Sequence, residues 1–187
     1  MSKSFSDLGI NHLLQQSLSE LQLAIPTDIQ QKAIPIILGQ SKDIVAIAKT
    51  GTGKTAAFGL PLLQLMDAKD SNVQALILAP TRELGHQIHA SLVSYASLSS
   101  EISIAALCGG IPIKPQIERL KSPTHIVVAT PGRLLDLISK GALSLKALKY
   151  LILDEADEMV TAFKDDLDQI IKNIPKAHRT LVFTATL

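Results

Sequence analysis

The sequence predicts an α/β domain, with a doubly wound, mainly parallel sheet and helices on both of its faces. Short apolar runs recur along the chain, and each is too short for a buried helix and ends in a turn or a polar cluster. The runs are apolar throughout instead of alternating, which indicates strands buried on both faces. Segments with helical periodicity separate most of the runs, as is typical of doubly wound folds. The six candidate strands are 44–48, 75–79, 102–107, 126–129, 150–153 and 181–183.

The predicted helices lie before and between these strands. Two helices, 10–23 and 27–38, precede the first strand, and Pro26 followed by Thr27 supplies a turn and an N-cap for the second of them. A further helix begins after Gly53. The remaining predicted helices are 82–97, 112–120 and 132–138.

Composition limits the classes of protein that fit this chain. Its 187 residues, 47% of them hydrophobic, suffice for one domain with a full core. The formal net charge of +1 excludes a strongly basic surface. Cys108 is the only cysteine, so no intramolecular disulfide can form and a reducing compartment is expected. The sequence has no secretory signal and no apolar run near the ~20 residues that span a bilayer, so we expect a cytoplasmic protein without a membrane partner.

The segment after the first strand has the form of a phosphate-binding loop, or P-loop. Gly-Lys-Thr stands between an apolar strand and a helix, where glycines let backbone N–H groups turn towards phosphate oxygens. In such a loop Lys54 reaches the β- and γ-phosphates of a nucleoside triphosphate, and the Thr55 hydroxyl ligates Mg²⁺. Ala48 stands where the pattern usually has glycine, and the alternative is a Gly-Thr-rich turn with an incidental lysine. The candidate nucleotide-binding residues here are Ala48, Lys49, Thr50, Gly51, Thr52, Gly53, Lys54 and Thr55.

Two carboxylates follow the fifth candidate strand. An apolar strand that ends in acidic residues is typical of a site where one carboxylate holds Mg²⁺ and another residue orients the attacking water. We assign Asp154 to the metal and Glu155 to the orientation and deprotonation of the water. The alternative is that these residues cap the next helix. The P-loop favours the catalytic assignment, because it would be incomplete without a metal carboxylate.

Polar clusters follow the other strands as well. The carboxyl ends of parallel strands line one crevice of an open α/β sheet, and ligands bind there. Each cluster alone could be a simple connection or a helix cap, but together with the P-loop they are expected to converge on one edge of the sheet. The five clusters are 80–84, 109–110, 130–133, 154–157 and 184–186.

The tetrad 154–157 reads Asp-Glu-Ala-Asp, and with the other motifs it resembles the first RecA-like domain of the DEAD-box RNA helicases. The motifs occur in that family's order over essentially the whole chain. The resemblance implies a RecA-like P-loop domain over 1–187, with adenine-sensing helices in 1–40 and the P-loop core in 41–187. It also implies ATP and Mg²⁺ as cofactors, RNA as a partner and RNA-stimulated ATP hydrolysis that drives duplex unwinding.

The same resemblance assigns an adenine site. Segment 25–30, Ile-Pro-Thr-Asp-Ile-Gln, is similar to the family's adenine-sensing motif, with Phe5 further towards the N-terminus. Gln30 is implied to read the adenine edge, because its amide can donate to one ring position and accept from the exocyclic amine. Without the resemblance, Gln30 would be interpreted as a surface residue of a helix. Leu23 stands where the family often has an aromatic residue, so it can pack against a purine but not stack on it. Thr27 completes the implied adenine contacts.

Three of the clusters resemble the family's RNA-contacting loops. They offer hydroxyls, backbone N–H groups, helix N-termini and two guanidinium groups, which bind a phosphodiester backbone without reading bases. Aromatic residues make up 3% of the chain, which argues against recognition by base stacking. The implied RNA contacts are Pro80, Thr81, Arg82, Gly109, Gly110, Thr130, Pro131, Gly132 and Arg133.

The last cluster, Thr-Ala-Thr at 184–186, stands where the family usually has Ser-Ala-Thr. We expect Thr184 to keep the family's link to Asp157, which couples the ATP state to the RNA state. The family's second RecA-like domain, an expected partner, does not occur in this sequence, so this domain alone is expected to be weakly active or inactive. The residues assigned to catalysis are Lys54, Asp154, Glu155, Asp157, Thr184 and Thr186.

Two other functions fit part of this pattern. A DNA-directed motor would share the P-loop, but the Gln30 segment and the Asp-Glu-Ala-Asp tetrad favour RNA, and stimulation by RNA but not by DNA would separate the two. A non-catalytic, ATP-gated RNA clamp would not need Lys54, Asp154 and Glu155 together. ATP turnover by the full-length protein would exclude the clamp.

Overall fold

A computed structural model describes residues 3–98 and 101–186 of the chain. The strands in these residues are β1 (Ile44–Ile47), β2 (Ala75–Leu78), β3 (Ile104–Leu107), β4 (Ile126–Ala129), β5 (Tyr150–Leu153) and β6 (Arg179–Thr184). They form one parallel sheet in the order β1-β6-β5-β2-β4-β3. The predicted doubly wound α/β fold is confirmed, and each candidate strand overlaps an observed one.

Eight helices occur in the described residues. They are α1 (His12–Glu20), α2 (Asp28–Gly39), α3 (Lys54–Leu65), α4 (Arg82–Tyr95), α5 (Ile113–Arg119), α6 (Pro131–Ser139), α7 (Ala156–Ala162) and α8 (Lys164–Lys172). α1 is shorter than the predicted helix 10–23, because Asn11 caps its start and Gln22, at a φ of 58°, turns the chain after its end. The sequence pattern gave no bounds for α7 and α8. None of these helices is both long enough and apolar enough to cross a bilayer.

The sheet carries an apolar cluster on each face. One cluster lies between the sheet and helices α1 to α4, and in it the rings of Phe58 and Phe183 meet edge to face with their centroids 5.1 Å apart. The other cluster lies between the sheet and α5 to α8, and includes Leu134 of α6 and Ile170 of α8. Because α1 and α2 share the first cluster, the N-terminal helices belong to the same core as the P-loop.

Arg179, at the start of β6, ties the sheet to the end of α2. Its side chain is buried, and its guanidinium donates hydrogen bonds to the main-chain carbonyls of Ile36, Ile37 and Lys42. The last carbonyls of a helix lack partners within the helix, so these bonds stabilise its C-terminal end. Arg179 therefore has a structural role at the edge of the sheet opposite the polar clusters.

Candidate functional site

The P-loop connects β1 to α3 at the carboxyl edge of the sheet. Gly51 and Gly53 have φ values of 83° and 90°, a region that side chains rarely allow. A Cβ at Gly53 would also collide with Nε2 of Gln30. The loop is held to the neighbouring strand by the Ala48 N–H, which donates to the Thr184 carbonyl at 2.9 Å. The chain can therefore take this path only with glycine at these two positions.

Lys54 is the first residue of α3 and faces the carboxylates at the end of β5. Its Nζ lies 2.8 Å from Glu155 Oε1 and 3.8 Å from Asp154 Oδ1, and its side chain is 5% exposed. The Thr50 hydroxyl donates to the same Glu155 oxygen at 2.9 Å. The structure thus brings the P-loop and the two carboxylates together, although 101 residues separate Lys54 from Glu155 along the chain.

Asp154 and Glu155 differ in their environment. Asp154 is 2% exposed, and burial raises its pKa to about 6, while Lys54 lowers and Glu155 further raises that value. Glu155 is half-buried and adopts φ 49° and ψ 52°, a left-handed conformation that costs a non-glycine residue about 1–2 kcal/mol. A strained backbone of this kind often occurs at functional sites, and here it directs the Glu155 carboxylate towards the P-loop.

The oxygen atoms near Lys54 fit the demands of a hard divalent cation. Thr55 offers a hydroxyl in the first turn of α3, and Asp154 offers a buried carboxylate whose pKa is raised chiefly by burial. Within residues 3–98 and 101–186 no group of three or more His, Cys, Asp or Glu side chains could hold a metal ion. A Mg²⁺ ion here would therefore rely on few protein ligands, together with phosphate oxygens and water, as is usual for Mg²⁺.

Gln30 joins the start of α2 to the P-loop and is not a surface residue. Its side chain is 6% exposed, its Oε1 accepts from the Thr27 N–H at 2.9 Å, and its Nε2 donates to the Gly53 carbonyl at 3.1 Å. The first bond is half of a capping box, which stabilises the start of α2. The structure therefore brings Thr27 and Gln30 next to the P-loop.

Phe5 and Leu23 lie apart from this contact. Phe5 is 6% exposed and packs in the apolar cluster beneath α1, whereas Leu23 is 42% exposed. Both line a cavity of about 310 Å³ near Leu18, while Thr27 and Ala48 line a different one. Phe5 therefore acts as a hydrophobic anchor in this structure, because its ring is packed instead of presented at the surface. A contact of Phe5 or Leu23 with a base stays a prediction.

Asp157 is bonded to the chain beyond β6, mainly through Thr186. Thr186 donates to Asp157 Oδ2 from its hydroxyl at 2.8 Å and from its N–H at 3.2 Å. The Thr184 hydroxyl instead donates to the Thr186 carbonyl at 2.7 Å. The hydroxyl of Thr186 is also the main reason that the pKa of Asp157 lies below its ordinary value. The Thr184 hydroxyl also lowers this pKa, by less than Thr186 does, so Thr184 lies near the carboxylate and its expected link to Asp157 stays a prediction.

The three candidate RNA loops meet around Gly109 and Gly110. A Cβ at Gly110, whose φ is 85°, would collide with Nη1 of Arg82, so the Arg82 side chain lies directly over this glycine. The Gly109 N–H donates to the Thr130 hydroxyl at 3.3 Å. Thr81 caps α4 by accepting from the Leu84 N–H, so the helix-cap interpretation is correct for Thr81.

The third of these loops begins α6. Pro131 is buried at the first position of that helix, Gly132 is exposed, and Arg133 is half-buried. Arg133 donates from Nη1 to Gln116 Oε1 and from Nη2 to the Ile111 carbonyl, each at 2.8 Å. Gln116 was not singled out in the sequence, because no motif surrounds it and a lone glutamine in a helix gives no signal of burial.

Known proteins share this fold and these motifs. The family model described as "DEAD/DEAH box helicase" matches residues 27–187. The "ATP-dependent rRNA helicase RRP3" of Gibberella zeae is 46% identical over 187 residues, which cover 99% of this chain and 38% of that protein. The "ATP-dependent RNA helicase CshA" of Listeria monocytogenes is 45% identical over 184 residues, which cover 98% of this chain and 35% of that protein.

A solved structure agrees with these relatives. The crystal structure of a DEAD box protein from the hyperthermophile Methanococcus jannaschii superposes with a TM-score of 0.93 at 41% identity, over 100% of this chain and 51% of that chain. The chain thus spans between 35% and 38% of the two relatives named above. The resemblance drawn from the motifs is confirmed, and the chain belongs to the DEAD/DEAH box helicase family.

Proposed function

We propose that this chain is the N-terminal ATP-binding domain of an ATP-dependent RNA helicase, which hydrolyses ATP to remodel or unwind RNA duplexes. Membership of the family implies ATP binding. The observation that carries the proposal is the meeting of Lys54, Asp154 and Glu155 at the carboxyl edge of the sheet, where α/β proteins bind their ligands. The names of the relatives, which include an rRNA helicase and an RNA helicase, support RNA as the second ligand.

The phosphates of ATP would lie between the P-loop and β5. Backbone N–H groups at the start of α3 attract phosphate oxygens, and Lys54 adds a positive charge that is already desolvated. Thr55 and Asp154 would hold Mg²⁺, which neutralises charge on the phosphates when bound. Glu155 would accept a proton from the water that attacks the γ-phosphate in line. Phosphate binding, metal coordination and proton transfer would thus be carried out by different members of these four side chains.

The adenine ring would be read by Gln30. Its amide is buried beside the P-loop, so it is held close to where the sugar and base of a nucleotide must emerge. One amide can both donate and accept, and guanine cannot satisfy the same pair of contacts. This geometry supports the assignment of Thr27 and Gln30 to ATP selection, with the other P-loop residues between Ala48 and Thr55 binding the phosphates.

RNA would bind along the loops around Gly109 and Gly110. Arg82 and Arg133 supply charge, while Thr81, Thr130 and the glycines supply hydroxyl and backbone donors for phosphate oxygens. A few focused donors can bind a backbone without a strongly basic surface, which agrees with the net charge of +1. Pro80, Pro131 and Gly132 would shape the same loops.

The bond between Asp157 and Thr186 would couple the two ligands. Asp157 lies two residues after Glu155, so a shift of Glu155 towards ATP reaches the end of β6 through this contact. Thr184 contributes indirectly, because its hydroxyl fixes the Thr186 carbonyl.

Cytoplasmic location stays a prediction of the composition.

A second RecA-like domain would complete the enzyme. Phosphoryl transfer commonly needs an arginine that stabilises charge on the γ-phosphate, worth about 10³–10⁵ in rate. Arg82 and Arg133 face the candidate RNA loops and Arg179 is committed to α2. Arg119 donates to the Thr124 hydroxyl. We therefore assign the arginine finger to a second domain, and this domain alone would hydrolyse ATP slowly.

The decisive experiment measures ATP turnover by the full-length protein with RNA, with DNA and with neither, together with unwinding of an RNA duplex. RNA-stimulated turnover coupled to unwinding is expected. Stimulation by DNA alone would favour a DNA-directed motor, and ATP-dependent RNA binding without turnover would favour a clamp. Either result would overturn the proposal.

A further inference from the structure

Gln116 is a buried side chain that links the strand before Gly109 to the guanidinium of Arg133. It lies on α5, is 5% exposed, and uses both ends of its amide. Its Nε2 donates to the Cys108 carbonyl at 2.9 Å, and its Oε1 accepts from Arg133 Nη1 at 2.8 Å. An amide bonded at both ends can take only one orientation, so Gln116 fixes the distance between these two groups.

Arg133 binds the other flank of the turn that contains Gly109 and Gly110. Its Nη2 donates to the Ile111 carbonyl at 2.8 Å, while Gln116 binds the Cys108 carbonyl. The two glycines between Cys108 and Ile111 are therefore anchored at both flanks by two side chains that are also bonded to each other. We call this arrangement, formed by Gln116, Arg133 and the carbonyls of Cys108 and Ile111, the glycine-turn clamp.

The clamp leaves the donors that a phosphate needs. A guanidinium has five N–H groups, and the clamp uses two of them, so three remain for another acceptor. The turn itself has no side chains between its anchors, so the Arg82 side chain can lie directly over Gly110 and bring a second guanidinium to the same place. Donors that are held in place before binding save the entropy of ordering them on binding.

We propose that Gln116 is a positioning residue for the candidate RNA site, which holds Arg133 and the Gly109–Gly110 turn in one preorganised geometry. This inference rests on the proposed function. Gln116 does not itself contact RNA, because it is buried beneath the turn. Its removal weakens RNA binding through Arg133 and leaves the ATP site unchanged, since none of the clamp contacts involves the P-loop or β5.

The test uses the full-length protein and compares Gln116→Met with Gln74→Met. Gln74 is a matched control: it is 0% exposed, and its amide binds the main chain of Asp67 from both ends, just before β2 at the opposite edge of the sheet. Gln116→Met is expected to raise the RNA concentration for half-maximal ATPase about tenfold, because the loss of one charge-assisted hydrogen bond weakens binding by about that factor. ATP affinity without RNA and kcat at saturating RNA stay unchanged, and Gln74→Met lowers only the melting temperature.

A double-mutant cycle with Arg133→Ala identifies the route of the effect. Because Gln116 acts through Arg133, adding Gln116→Met to Arg133→Ala is expected to cause little further loss of RNA affinity. Additive losses, or an RNA response of Gln116→Met equal to that of Gln74→Met, would overturn the inference. If Gln116→Met does not fold, Gln116→Glu replaces it: its carboxylate repels the Cys108 carbonyl and pairs with the charge of Arg133 in competition with phosphate, so RNA affinity is again expected to fall. Wild-type RNA affinity in that variant would overturn the inference too.

The two proposals fail in different ways. If the wild-type protein does not respond to RNA at all, the proposed function falls and the role of Gln116 falls with it. If the wild-type protein responds and the Gln116 variants match it, only the positioning role is wrong.

Discussion

The ammonium of Lys54 lies 2.8 Å from the carboxylate of Glu155, so the lysine proposed to bind phosphate and the proposed general base are bonded to each other. Thr50 donates to the same carboxylate oxygen. When phosphate approaches Lys54, it competes with Glu155 for the same positive charge. We therefore expect the arrival of ATP to release Glu155 from the P-loop, which would link substrate binding to the freeing of the proposed base.

Glu155→Gln tests this link. The amide cannot accept a proton, so turnover with RNA should fall by about 10²–10⁴. Binding of Mg²⁺–ATP should be as tight as in the wild type or tighter, because a neutral amide competes less for Lys54. Steady-state ATPase and equilibrium titration of the full-length protein measure both effects. Glu158→Gln, at an exposed position of α7, is the matched control and should change neither. Unaffected turnover in Glu155→Gln would exclude a catalytic role.

Gln30 variants separate support of the helix from recognition of the base. Gln30→Ala loses both side-chain bonds, whereas Gln30→Glu keeps the acceptor for the Thr27 N–H and loses the donor to the Gly53 carbonyl. Both variants should lose selectivity for ATP over GTP, and Gln30→Ala should also lose about 1 kcal/mol of stability. Gln31→Ala, which removes a bond to the Pro26 carbonyl, should keep the selectivity. Equal losses of ATP and GTP affinity in Gln30→Ala would limit Gln30 to a structural role.

Asp154→Asn should stabilise the domain while weakening Mg²⁺-dependent ATP binding. The pKa of the Asp154 carboxyl rises from 3.8 to about 6 on folding, so the domain loses stability as the pH rises between these values. Above the higher value the full free-energy cost of the buried charge is present. Removing the charge should therefore add on the order of 2 kcal/mol at pH 8 and much less at pH 4. Thermal unfolding at both pH values measures this. Asp168→Asn, an exposed residue of α8, should show no such gain, and an equal gain at pH 4 and pH 8 for Asp154→Asn would contradict the account.

Thr186→Val tests the coupling through Asp157. Valine keeps the shape of threonine but cannot donate to Asp157 Oδ2, so unwinding should fall about tenfold while ATP affinity is retained. Thr161→Val is the matched control, because its hydroxyl donates to the main-chain carbonyl of Asp157 and not to the carboxylate. Unwinding at the wild-type rate in Thr186→Val would show that the contact between Asp157 and Thr186 does not couple ATP hydrolysis to unwinding.

The sequence sufficed for the parts of the site that depend on strand ends. Parallel strands bring their carboxyl ends to one edge, so Lys54 after β1 and Glu155 after β5 could be expected to meet before any contact was known. The same reasoning brought the Gly109–Gly110 turn and the loop that begins at Thr130 to this edge, and the pairing of β3 with β4, which the pattern did not predict, makes them neighbours.

The remaining contacts depend on details that a pattern does not contain. Thr184 and Thr186 both carry a hydroxyl, and the path of two residues of backbone decides which one makes the stronger contact with Asp157. An aromatic residue near the N-terminus fits either a ligand or a core, and the pattern alone does not show that Phe5 packs in the apolar cluster. Gln116 lacks any signal in the sequence, because burial of one polar side chain follows from how α5 packs.

Binding of Mg²⁺–ATP to Lys54→Ala tests the central claim, that the P-loop and the β5 carboxylates form one nucleotide site. Lys54 supplies the buried positive charge between the two, and its removal leaves Asp154 and Glu155 to repel the phosphates. An equilibrium titration of the folded variant should show no productive ATP binding, whereas Lys69→Ala, at an exposed loop position, should bind ATP like the wild type. Unchanged ATP affinity in a folded Lys54→Ala variant would contradict the assignment of this site.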